Sequence, residues 1–224
     1  MKKLIIFGSG KIADSVYNIA CDIPDIQVVA FTCDKEYIKS EEFNGLPVIP
    51  FDDMEKKYLH DEYYIFVAVG YQELNTLREK KLQEAKSKGY KIISLIHPKV
   101  ILPHGFKYGE NCFIMYNVCV QPGVELGNNV FVWGGALIGH HSKIGDNCWI
   151  TGGANIAGSV KIGKNCFFAI NSTVVNEVII GNKCIIGAGA LVTKNLEDEK
   201  VIIDEATPVF RLNSSRFLRI TRMK

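Results

Sequence analysis

From residue 102 to residue 191 the chain divides without insertion into 15 hexads: LPHGFK, YGENCF, IMYNVC, VQPGVE, LGNNVF, VWGGAL, IGHHSK, IGDNCW, ITGGAN, IAGSVK, IGKNCF, FAINST, VVNEVI, IGNKCI and IGAGAL. The first slot is aliphatic or aromatic throughout. The fifth holds Phe106 and after it only Cys, Val, Ala or Ser. Neither a helical period of 3.6 nor a strand period of 2.0 accounts for this, so internal repetition is the primary signal. One bulky and one small apolar residue every six positions describes a parallel β-helix in which each of three flat sides takes one hexad. Fifteen hexads then make about five coils, enough for neighbouring coils to bury a continuous interior. Cys112, Cys148, Cys166 and Cys184 fall in the small inward slot and read as compact apolar filling. Glycines recur in the second slot, at 109, 127, 139, 145, 163, 181 and 187, where a corner leaves little room or asks for unusual backbone angles.

Residues 1–98 follow a different grammar. LIIF (4–7), VVAF (28–31), YIFVAVG (64–70) and KIISLI (91–96) read as buried strands. KIADSVYNIACD and QELNTLREKKLQEAKSKG read as helices, the second stopping at Gly89. Strand and helix in alternation imply a parallel sheet with covering helices. The first strand runs into Gly8-Ser9-Gly10-Lys11-Ile12-Ala13, a G-x-G-x-x-A turn, and Asp34 follows the second strand. Such a turn brings backbone and free helix N–H groups up to a pyrophosphate; it also serves as a plain tight turn, and it does not specify NAD. The division is thus an α/β Rossmann-like domain over 1–98, a β-helix over 99–196 and a tail over 197–224.

Composition narrows the partners. A net charge of +2 with no run of like charges argues against nucleic acid. No stretch approaches the roughly 18 apolar residues of a membrane span. Seven cysteines without a C-x-x-C fit neither a zinc site nor a fully paired disulfide set, so a reducing, cytoplasmic setting is expected and no metal is.

IIFGSGKIADS, FTCDK, FVAVGYQELNTLREKKLQ, LIHP and LIGHHSKIGD together resemble the sialic acid O-acetyltransferase family, which includes bacterial N-acetyltransferases of UDP-, GDP- or dTDP-linked 4-amino sugars. The resemblance covers residues 1 to about 195. It implies a left-handed parallel β-helix, a homotrimer with active sites between subunits, acetyl-CoA as co-substrate and a role in surface-glycan biosynthesis. It also implies a nucleotide-linked amino sugar held by Gly8, Ser9, Gly10, Asp34 and Gly70, with Lys11 near the phosphates. The family's histidine base falls on His140, its backbone oxyanion donor on Gly158, and contacts to the pantetheine arm of CoA on Ile170 and Ala188. An imidazole, titrating near neutrality, suits the removal of a proton from an attacking amine.

The chain departs from the family pattern at three places. Where an acid commonly follows the base stands His141, which leaves Glu125 or Asp146, or a proton shared within the pair, to orient His140, or else sets His141 to hydrogen-bond the sugar or a phosphate. The usual upstream asparagine is missing, and Trp133 nearby offers an apolar wall. The tail carries Arg211, Arg216, Arg219, Arg222 and Lys224, either meeting CoA phosphates or solvated. Three other functions remain compatible with the residues: acetylation of a sugar hydroxyl, a non-catalytic sugar-nucleotide-binding β-helix, and, least fitted because its histidines do not converge, a zinc carbonic anhydrase.

Overall fold

The structure is a computed structural model that describes residues 1–221; Arg222 and Lys224 lie outside them. The N-terminal sheet comprises β1 (Lys2–Phe7), β2 (Ile26–Cys33), a short hairpin of β3 (Glu42–Phe43) with β4 (Leu46–Pro50), β5 (Tyr63–Val67) and β6 (Lys91–Ile92), in the order β3-β4-β2-β1-β5-β6. All neighbours are parallel except the hairpin. Helix α1 (Lys11–Cys21) follows β1 and α2 (Thr76–Ser87) follows β5. The chain leaves β1 toward β2 on one side and returns to β5 on the other. That reversal opens a crevice at the carboxyl ends of β1, β2 and β5, the usual ligand position in such sheets.

KIISLI does not form one strand. Its first half closes the α/β sheet, while Leu95–Ile96 pairs with Phe113–Ile114 and so starts the β-helix. From there two-residue strands stack in three parallel sheets. Phe113 sits against Phe131, Phe131 against Trp149 and Trp149 against Phe167, one coil of 18 residues apart. First- and fifth-slot side chains fill the interior, and the four inward cysteines are fully buried. Each of those thiols donates to a carbonyl, as Cys148 Sγ does to Gly163 O at 3.2 Å. Burial pushes the Cys112 thiol up to about 11 and holds Cys148 well above its ordinary range, which keeps both unreactive.

The corners obey a rule absent from the sequence reading. Every fourth-slot residue from Gly105 to Gly189, glycine or not, has positive φ. The second-slot glycines do not. Their constraint is proximity, because a Cβ on Gly139 would lie 2.4 Å from Ala157 C and one on Gly145 2.7 Å from Gly163 C.

The α/β domain packs on the β-helix through one outer face. Phe113, Phe131 and Trp149 point outward there and are buried beneath α1 and one side of the sheet, with Leu4, Ile6, Val16 and Phe66. Asparagines in the left-handed slot of the neighbouring corner form a ladder between the domains. Asn111 exchanges two bonds with Val67, at 2.8 and 3.1 Å, and bonds Asn129, which bonds Asn147 in turn. His97, buried against Tyr116 with Nε2 3.1 Å from Asp22 Oδ2, pins the same junction. Helix α3 (Ser214–Thr221) in the tail buries no residue. Among the described residues no helix is long and apolar enough to cross a membrane.

Candidate active site

His140 and His141 occupy the third and fourth slots of their hexad and so form a corner. The fourth slot puts His141 at φ 59°, and this turns its ring back toward its neighbour. His140 Nδ1 and His141 Nδ1 lie 3.2 Å apart with the rings nearly perpendicular, so one of these nitrogens carries the hydrogen between them. His140 N–H donates to Gln121 Oε1 (2.9 Å) and His141 N–H to Pro122 O (3.0 Å), which holds the corner to the preceding coil. Both rings are exposed.

The carboxylates considered as partners for His140 are engaged elsewhere. Glu125 lies between Lys107 and Lys143 at 3.5 Å from each, and their charges hold its carboxyl below the usual range. Asp146 meets Lys164 at 2.8 Å and Asn128 N–H at 2.9 Å. Burial alone would raise its carboxyl, but these bonds outweigh it and hold it low. The orienting group at His140 is therefore His141.

Gly158 lies one coil further along, against the His140 ring: a Cβ there would come within 2.4 Å of Nε2. Its N–H, expected as an open donor, is already given to Asn176 Oδ1 at 2.9 Å. For Gly158 to serve an oxyanion, the exposed Asn176 side chain has to let go. Ile170 and Ala188 are exposed but belong to a different corner. Their column is Tyr116, Gly134, Gly152, Ile170, Ala188, whereas that of the base is Pro122, His140, Gly158, Asn176. One flat face of the β-helix separates the two, and a single chain does not bring them together.

The first of these columns borders a cleft of about 660 Å³ between the domains, lined by Tyr71, Tyr116, Trp133, Trp149 and the Gly134 and Gly152 backbone. Trp133 is thus part of a floor, not a wall beside His140; it packs on Phe113 and Trp149, and its Nε1 is buried without a partner.

At the sheet crevice the structure gathers the N-terminal candidates. Gly8 has φ 126° and a Cβ on it would meet Ala68 O at 2.9 Å, so only glycine fits. Gly10 caps α1 with open space before it and without a side-chain cap, which leaves the first N–H groups of the helix free for an anion. Ser9 Oγ is 3.6 Å from Cys33 Sγ. Asp34 shares Lys81 with Glu84, at 2.7 and 2.8 Å, leaving its second oxygen for a ligand. Gly70 is buried and immediately precedes Tyr71, which lines the cleft. Sequence reasoning missed Tyr71, Trp149 and Asn176. The outward sixth slot held a signal for Trp149, since it is aromatic at every third hexad from Phe113 to Phe167.

Comparison with known proteins finds relatives of both halves of the chain. A family model for the PglD N-terminal domain matches residues 3–95, and one for bacterial transferase hexapeptide repeats matches 109–140 and 160–194. No curated protein matches the chain in sequence. The acetyltransferase domain of PglB from Neisseria gonorrhoeae FA1090 is similar with a TM-score of 0.81 at 25% identity, over 90% of this chain and 96% of that one. PerB from Caulobacter crescentus, solved with CoA and GDP-perosamine, is similar with a TM-score of 0.78 at 25% identity, over 90% and 93%. WeeI from Acinetobacter baumannii AYE shares the fold at 18% identity, with a TM-score of 0.62 over 91% and 97%. The fold is an α/β domain followed by a left-handed parallel β-helix, and the chain belongs to the hexapeptide-repeat acyltransferases that carry a PglD-type N-terminal domain.

Proposed function

We propose that this acyltransferase moves the acetyl group of acetyl-CoA to the amino group of a nucleotide-linked amino sugar, with His140 as general base. The observation that carries the reading is the His140 ring, poised over Gly158 with Nδ1 engaged by His141 and Nε2 facing the backbone of the next coil. The solved complex of PerB with CoA and GDP-perosamine supports the substrate classes.

In this reading Nδ1–H of His140 donates to the neutral His141 ring, which leaves Nε2 as the acceptor. The sugar amine attacks the thioester carbon, forming the C–N bond and an oxyanion. The proton leaving nitrogen passes to Nε2. Gly158 N–H, released by Asn176, steadies the oxyanion. Collapse breaks the C–S bond, and the CoA thiolate takes the proton back from the imidazolium. His141 accepts a hydrogen bond throughout, a task for which a neutral imidazole suffices although it supplies less stabilisation than a carboxylate.

The nucleotide occupies the crevice of Gly8, Ser9, Gly10, Asp34 and Gly70, and the sugar extends toward the aromatic cleft. The CoA arm runs along the column of Ile170 and Ala188. A threefold assembly completes the site. The face between the two corners presents Cys119, Leu137, Asn155, Thr173 and Leu191 outward, none of them charged, whereas the next face presents Glu125, Lys143 and Lys161. Three copies with the uncharged face turned to a common axis bring the His140 corner of one against the Ile170 corner of the next. Seven unpaired cysteines suit the reducing cytoplasm.

The test is thiol release from acetyl-CoA with a panel of UDP-, GDP- and dTDP-linked amino sugars. Turnover with one of them is expected to fall by about 10²-fold or more in His140→Ala. No release with any of them, or unchanged turnover in the variant, overturns the assignment. Light scattering is expected to give three times the chain mass of 25.0 kDa.

A further inference from the structure

Arg78, in the first turn of α2, is fully buried, and every acceptor it bonds is neutral. Nη1 donates to Gly70 O (3.2 Å) and Asn75 Oδ1 (2.9 Å) within its own domain. Nε donates to Asn129 Oδ1 (2.9 Å), and Nη2 to Asn129 O (3.1 Å) and, at the limit, Asn147 O (3.5 Å), across the domain junction. The guanidinium lies over the Phe131 ring, 4.3 Å from its centroid. The adjacent Glu79 turns its carboxylate to Asn165 Nδ2 (3.3 Å). Burial without a bonded counter-charge is costly for a cation, and it lowers the guanidinium to about 9, still charged at neutral pH.

The loop that Arg78 holds is itself strained. Glu73, Leu74 and Asn75 have φ of 51°, 50° and 68°, three consecutive left-handed residues without a glycine. L-residues disfavour this conformation, so something must hold it. Thr76 Oγ1 holds Glu73 O from within the domain (2.8 Å); the other side-chain holds come from the β-helix or through Arg78. Arg78 takes Gly70 and Asn75, Asn165 Nδ2 takes Leu74 O (3.2 Å), and the Tyr71 ring rests on Trp149 and Phe167, with centroids 5.4 and 4.7 Å away. Gly70 lies at the sheet crevice where the nucleotide is placed.

We propose that Arg78 is a positioning residue of the nucleotide site. It locks the Gly70–Asn75 loop to two coils of the β-helix in the shape that receives a nucleoside diphosphate. The inference rests on the nucleotide-sugar reading above. A role confined to holding the domains together would instead disturb both substrates alike.

The experiment measures binding of GDP, UDP and dTDP, and separately of CoA, to the full-length protein by calorimetry, with thermal unfolding of each variant. For the diphosphate that the wild type takes up, Arg78→Met is expected to weaken binding tenfold or more, and Arg78→Lys, which restores the charge without the fork, by less. CoA binding is expected to stay within twofold in both. Unchanged diphosphate binding in a folded Arg78→Met protein, or equal losses for diphosphate and CoA, overturns the proposal. If Arg78→Met does not fold, Asn165→Ala gives the same reading by releasing Leu74 O: about threefold weaker diphosphate binding with CoA unchanged supports it, and no change overturns it. A wild type that binds CoA but none of the three diphosphates sinks the nucleotide-sugar reading itself. One that binds a diphosphate as tightly as its variants do leaves that reading standing and removes Arg78 from it.

Discussion

Gly158→Ala separates catalytic geometry from stability more cleanly than removal of the base. A Cβ at 158 would sit 2.4 Å from His140 Nε2 and 2.5 Å from Cε1, against an ordinary contact of about 3.5 Å. The ring has to withdraw by about 1 Å or swing away, and a misplacement of that size costs on the order of 10²-fold in rate, equivalent to about 2.7 kcal/mol of barrier. The fold should barely register the change. Gly158 is not among the left-handed glycines, so alanine is allowed there, and the exposed His140 ring moves into solvent. The entropy change of Gly→Ala is worth about 0.4–1 kcal/mol in favour of the folded state, a shift of only a few degrees in Tm at this chain length. The expected outcome is kcat in the thiol-release assay reduced by about two orders of magnitude, with Tm within about 4 °C of wild type. A kcat within about threefold of wild type would refute the placement of Nε2 at the reacting amine.

Three further outcomes follow from the same geometry. His141→Asn keeps an acceptor and a residue that tolerates φ 59°, so kcat should fall less than in His141→Leu, for which a loss of about 10- to 100-fold is expected; equal losses would deny the Nδ1–Nδ1 bond a role. Asn176→Ala frees Gly158 N–H and should leave kcat at or above the wild-type value, whereas a tenfold drop would make the Asn176 bond part of the machinery. Asp146 and Asp198 have carboxyls held below the usual range, by Lys164 and Asn128 overcoming burial in the first case and by Asn182 in the second. Because their folded pKa values are depressed, their contribution to stability is complete above about pH 4 and is lost as pH falls through the folded values. Tm measured from pH 6 to pH 3 should drop at the acid end, and Asp146→Asn should flatten that drop.

Why some of this was legible in the sequence and some was not has physical causes. The coils were readable because every coil buries the same two slots, which repeats the interior of Cys112, Cys148, Cys166 and Cys184 along the chain. The docking face was also written there, in the alternation of Phe113, Phe131, Trp149 and Phe167 with charged outward residues such as Lys143 and Lys161, but with a period of three hexads rather than one. The left-handed fourth slot shows as asparagine at 111, 117, 129, 147, 165 and 171, and it explains how His141 comes to face His140. The carboxylates proposed for the base failed because a β-helix turns a corner between one hexad and the next. Asp146 is six residues beyond His140 and is carried a full face away. The strained turn at Glu73–Asn75 was not readable locally, since part of what holds it lies far along the chain, in Asn165 and in the Asn129 acceptors of Arg78.

The base and the cleft stand on opposite flanks of one face in the same chain. In the proposed threefold assembly each polypeptide therefore lends its two halves to different neighbours and never meets itself. A chain without its imidazole and a chain with a ruined Gly8 turn are each dead alone. Mixed before assembly, they should place an intact corner against an intact crevice at about one interface in four. Activity would be recovered from two inactive parents, which makes the unit on which selection acts the ring rather than the polypeptide.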